Sequence, residues 1–144
     1  MPILFFPFIL LIALLLALAE IQIEGKFGWA RNLPTWRKQL KFLFLKFELT
    51  GYHLFFFSFI FILFHFRFVF EPITLSSELL TLSAFVFMTV FEDFFWFMFN
   101  PAYGPKKYNK ENVYWFKSWF LGFPSFYFIV LPIAIILLVL GLKV

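Results

Sequence analysis

Residues 79–100 read LLTLSAFVFMTVFEDFFWFMFN. A helix needs about 20 apolar residues to cross the hydrocarbon core of a bilayer. This run has that length, yet it holds two adjacent acids, Glu92 and Asp93. An ionisable side chain at membrane depth costs a few kcal/mol on insertion scales and persists where it faces a bundle interior, water or a partner. The run is therefore expected to be a membrane-crossing helix with a special inner face. Thr89, Glu92, Trp96 and Asn100 recur at three- and four-residue spacing and share that face. Asp93 stands about 100° from Glu92, and the stripe continues into Tyr103 beyond Pro101.

Three more runs read as spans: residues 2–19 and 121–142, both uncharged, and 52–70, which carries His53, His65 and Arg67. The composition agrees. Of 144 residues, 63% are hydrophobic and 14% charged, with a mean hydropathy of +0.92. A soluble domain carries about a quarter charged residues, so lipid is the expected solvent and membrane lipids the expected partners. The 28 phenylalanines suit lipid as well as leucine does. Ala17-Leu18-Ala19 resembles a signal-peptide cleavage pattern, but no Lys or Arg precedes the apolar run, so a retained span is expected.

The expected architecture is an all-α integral membrane protein, a single transmembrane domain over 1–144 built as a four-transmembrane-helix bundle. The loop between the first two spans holds Lys26, Arg31, Arg37, Lys38, Lys41 and Lys46. The loop before the last span holds Lys106, Lys107, Lys110 and Lys117, and the link 71–78 has no Lys or Arg. By the positive-inside rule, loops 20–51 and 101–120 are cytoplasmic and both termini lie outside, in a bacterial or archaeal plasma membrane. The net charge of +4 is thus a topology signal and not a nucleic-acid footprint.

Each cytoplasmic loop is expected to carry a short interfacial helix. Over 35–49, Trp36, Leu40, Leu43, Phe44 and Phe47 mix with Arg37, Lys38, Lys41 and Lys46, a composition suited to headgroups, after breaks at Gly25, Gly28 and Pro34. Over 110–120, Asn109 offers a cap, and Tyr114, Trp115 and Trp119 form an aromatic belt. Ser76 or Ser77 is expected to cap the third span beside Glu78, and Pro124 and Pro132 to kink the fourth.

The chemistry-bearing candidates converge near the inner leaflet. His53 opens the second span at the face where Glu92 and Asp93 approach the cytoplasm, and Asn32, Trp36, Trp96, Asn100 and Tyr103 lie at that level. Glu92, Asp93 and His53 are the candidate catalytic residues. Two carboxylates and a histidine can also ligate a divalent metal ion through oxygen and nitrogen, and no other cofactor is indicated. Trp96, Asn100, Asn32, Trp36 and Tyr103 are candidate ligand-binding residues. At the outer side, Arg67 can reach Glu71 or snorkel, and His65 suits an interhelical hydrogen bond. The absence of cysteine excludes thiolate nucleophiles and thiolate metal sites, and no H-E-x-x-H, G-x-S-x-G or P-loop is present.

The leading expectation is a membrane-embedded enzyme or binding protein with a polar, acidic site for a lipid-soluble or headgroup ligand. A small transporter or channel, or an accessory subunit whose polar groups fix helix pairing, is the alternative. Either would fit a homo-oligomer or a membrane partner.

Overall fold

A computed structural model of the chain describes residues 4–42 and 45–144; residues 1–3, in the first expected span, and Leu43 and Phe44 lie outside it. The order of elements is α1 (Phe5–Glu24), β1 (Arg37–Phe42), β2 (Leu45–Thr50), α2 (Gly51–His65), α3 (Leu75–Phe99), β3 (Trp119–Phe120), β4 (Phe123–Pro124) and α4 (Tyr127–Lys143). Short 3-10 turns at Phe66–Val69 and Pro105–Lys107 follow α2 and α3.

α3 is the central helix. Thr74 starts it, not Ser76 or Ser77: its hydroxyl accepts from the Ser77 amide while the Ser77 hydroxyl accepts from the Thr74 amide, with Glu78 in the first turn. α3 packs along α1 and α4 and is more deeply buried than α1 or the segment Gly51–Val69. Small polar side chains sew it to α4. Ser83 donates to the Ala134 carbonyl at 2.8 Å and Ser76 to the Gly141 carbonyl at 2.6 Å. These bonds join the start of α3 to the end of α4, so the two helices run antiparallel. Ile9, Ala13, Ile60, Phe87, Met88, Ala134 and Leu138, drawn from all four helices, form a dry cluster through the middle.

Among the described residues, three helical segments are long and apolar enough to cross a membrane: Phe5–Glu24, Gly51–Val69 and Leu75–Phe99. α1 runs five residues past the expected end at Ala19, because Gly25 at φ 63° is the first residue that breaks it. α4 has 17 residues. It begins at Tyr127, not at 121, since Leu121 and Gly122 adopt positive φ in the β3–β4 turn. Pro124 therefore lies before the helix, and Pro132 lies inside it.

Both expected interfacial helices are replaced. Residues 37–42 and 45–50 form an antiparallel pair of strands, with Leu40 opposite Phe47 and Gln39 opposite Glu48. The physical reason is visible in the composition: Leu40-Lys41-Phe42 and Leu45-Lys46-Phe47-Glu48-Leu49-Thr50 alternate with period two, the repeat of a strand with one apolar face. Over 110–120 Asn109 does cap, accepting from the amides of Glu111 and Asn112 at 3.1 Å. No helix follows. Val113, Tyr114, Trp115 and Phe116 are β-branched or aromatic residues that lose side-chain freedom in a helix, and Val113 and Trp115 instead join an aromatic cluster with Trp96 and Phe97.

Candidate functional site

The end of α1, the start of α2, the last third of α3 and the start of α4 meet at one end of the bundle. Glu20 and Glu24 lie one turn apart on α1, and both are buried. At the head of α2, the Thr50 hydroxyl accepts from the His53 amide at 3.1 Å and also bonds ring Nδ1 at 2.6 Å. The capping residue thus fixes the imidazole. His53 Nε2 points at α1, 3.4 Å from Glu24 Oε1 and 3.8 Å from Glu20 Oε1.

From α3 the two adjacent acids diverge, as the helical step requires. Glu92, 2% exposed, faces Glu20 on α1. Asp93 turns the other way and accepts a hydrogen bond from the Tyr127 hydroxyl on α4. Between these groups lies a cavity of about 180 Å³, walled by aromatic side chains including Trp29, Trp96 and Phe116. Among the described residues no Lys or Arg lines it. Glu20 Oε1, Glu92 Oε1 and Trp96 Nε1 are buried there without a hydrogen-bond partner among the described residues.

The loop after α1 closes the cavity. Gly28, Trp29 and Ala30 take φ of 60°, 49° and 50°, a left-handed run that costs a non-glycine residue roughly 1–2 kcal/mol. Three contacts hold it. The Ala30 amide donates to Glu24, Arg37 donates to the Trp29 and Ala30 carbonyls, and Trp29 Nε1 donates to the Glu48 carbonyl at 3.0 Å. The result lays the Trp29 indole on the His53 ring, with centroids 4.3 Å apart.

Of the residues singled out from sequence, Glu92, Asp93, His53 and Trp96 line this cavity. The other four do not. Asn100 ends α3, donating to the Gly25 carbonyl at 2.8 Å and accepting from the Ala102 amide, which ties α3 to the end of α1. Tyr103 packs behind Trp96 and Trp115, where burial holds its hydroxyl pKa above the ordinary value. Asn32 is exposed. Trp36 is 42% exposed and covers Gly51 in a separate surface depression. At the opposite end His65 bonds Glu78 of α3 at 3.2 Å, and Arg67 pairs with Glu71.

Glu20, Glu24 and Tyr127 are the site residues that sequence reasoning missed. The i, i+4 spacing of Glu20 and Glu24 was a usable signal, obscured by ending the first span at its first charge. No family model matches the chain, and neither a curated protein nor a solved structure shows significant similarity to it.

Proposed function

We propose that this is a four-span membrane protein whose acidic cavity receives the polar end of an amphiphilic ligand, a lipid headgroup or a lipid-soluble molecule, from the inner leaflet. The observation that carries the reading is the convergence of Glu20, Glu24, His53, Glu92 and Asp93 on one cavity that leaves buried polar atoms unpaired. Buried polar groups are normally satisfied, so unpaired ones around a cavity suit a ligand. A second feature fits an amphiphile. An apolar groove of about 480 Å³ between α3 and α4, lined by Phe91, Phe94, Leu131 and Ile135, has Tyr127 in its wall. It abuts the acidic cavity across the Asp93–Tyr127 hydrogen bond. A chain in the groove would bring its polar terminus to Asp93, where adjacent carboxyls can exchange protons with it.

The positive charge of the adjoining loops supports a cytoplasmic orientation for this end of the bundle, and taking α4 as the fourth span gives an up-and-down bundle. A conduction path through one chain is disfavoured by the dry cluster around Met88 and Phe87, which separates the acids from His65 and Glu78. The test exposes the purified protein in detergent to a total membrane-lipid extract, repurifies it and quantifies retained lipid by mass spectrometry. Glu92→Gln keeps size and should keep the fold, yet lower specific retention at least tenfold (~1.4 kcal/mol). A folded Glu92→Gln protein with undiminished retention removes the reading.

A further inference from the structure

We infer that Glu20, Glu24 and His53 form a site for one divalent first-row transition metal ion, with an open coordination position facing Glu92 and the cavity. This deepens the proposed function and rests on that cavity being a ligand site. The ligand atoms of the three residues lie within 4.8 Å of one another. His53 Nε2 stands 3.4 and 3.8 Å from the two carboxylate oxygens. Those separations exceed hydrogen-bond length, about 2.7–3.2 Å for N–H···O. The shorter one equals the spacing of ligands around an ion, since two ligands bound at about 2.1 Å in a tetrahedral arrangement stand about 3.4 Å apart, and a small shift of Glu20 brings the longer one to it.

The surroundings are those of a metal site. Nδ1 of His53 is engaged by the Thr50 hydroxyl, which fixes the ring and leaves Nε2 directed at the acids. The Ala30 amide donates to Glu24 and orients that carboxylate. Glu92, on a side chain 2% exposed, lines the same cavity with its carboxyl against that of Glu20, and no N–H or hydroxyl among the described residues donates to its Oε1. No Lys or Arg among the described residues lines the cavity, so a cation is the missing counter-charge to a crowded set of carboxyls. Two carboxylates and one imidazole suit Zn²⁺, Mn²⁺ or Fe²⁺, and with no sulfur ligand they do not suit Cu(I). Three protein ligands with one position open is the arrangement in which a bound ion polarises a ligand oxygen. Here that position faces the space assigned to the polar end of the amphiphile, and an anionic headgroup could bind there despite the acids around it.

The test uses the full chain in detergent, stripped with a chelator and titrated with Zn²⁺ alone, then with Co²⁺ as a spectroscopic stand-in. We expect one ion per chain and a Co²⁺ visible absorption of low-coordinate type. Glu24→Gln and His53→Ala should each weaken binding at least tenfold, while Glu111→Gln, in the exposed loop, should not. Glu20→Asp keeps the charge and guards against loss of fold; it should shift the Co²⁺ spectrum. The metal assignment is overturned if folded wild-type protein binds no more Zn²⁺, Mn²⁺ or Co²⁺ than a folded Glu20→Gln/Glu24→Gln/His53→Ala variant. Lipid retention separates this from the parent reading. Absent metal binding with retention still lost in Glu92→Gln refutes only the metal, whereas metal binding with retention indifferent to Glu92→Gln supports the metal and refutes the lipid reading.

Discussion

A methyl group at Gly28 would arrive 2.6 Å from Cη2 of Trp115 and 3.0 Å from Cη2 of Trp96, on a backbone with φ of 60°. Overpacking and a left-handed L residue act together there, so Gly28→Ala should destabilise by about 2–4 kcal/mol. Two positions on, Ala30→Gly should relieve roughly 1 kcal/mol of left-handed strain, partly offset by the entropy glycine loses on folding. Thermal unfolding in detergent reads both: a clear fall for Gly28→Ala and an unchanged or raised midpoint for Ala30→Gly. An unchanged midpoint for Gly28→Ala would mean that the loop is not folded back against Trp96 and Trp115. At this scale the sequence was informative where charge stood out against an apolar run. Glu92, Asp93 and His53 announced themselves that way. Glu20 and Glu24 did not, because acids at the edge of a span look like loop. The stacking of Trp29 on His53 could not be read, since it depends on a turn held by Glu24 and Arg37 from elsewhere in the chain.

Among the elements, the hairpin of β1 and β2 is a buttress for that turn. Arg37, at its base, donates to two carbonyls of the turn and to Glu48 across the strands. The guanidinium fork suits several acceptors at once, and an ammonium does not. Arg37→Ala should therefore loosen the turn, cost about 1–2 kcal/mol and speed amide exchange at Trp29 and Ala30; Arg37→Lys should recover less than half of the loss. Equal behaviour of lysine and arginine would show that only charge matters at this position. The hairpin also marks the main misreading of the sequence. Its Lys and Arg content suggested a headgroup-bound helix, while the period-two alternation from Leu40 onward was the stronger signal and pointed to strands. The long helices were legible because length and apolarity suffice for them. Their ends were not, because caps such as Thr74 and breakers such as Gly25 set those, not the last apolar residue.

For the molecule as a whole, the four crossings proposed would put both chain ends on one side. The chain lacks cysteine, so single-cysteine variants give an unambiguous test. In whole cells or right-side-out vesicles, an impermeant thiol reagent should label Ile73→Cys, at an exposed position between α2 and α3, and spare Lys110→Cys. The opposite pattern reverses the orientation, and labelling at both sites removes the third crossing.

The unequal lengths of α3 and α4 carry a consequence for the surrounding membrane. α4, with 17 residues, is about 26 Å long, and its antiparallel neighbour α3, with 25, is about 37 Å, against a hydrocarbon layer of about 30 Å. Their far ends are level, since Ser76 bonds the Gly141 carbonyl, so the whole deficit falls at the end that holds Asp93 and Tyr127. In the proposed four-span arrangement, lipids flanking α4 there would meet hydrophobic mismatch and relieve it by dimpling the adjoining leaflet. Such a dimple would lower phosphates and glycerol backbones toward the mouth of the groove and shorten the path proposed for a headgroup. The protein should accordingly be more stable in vesicles of short-chain phosphatidylcholine than in long-chain ones of equal fluidity, and it should concentrate in the thinner regions of a mixed membrane.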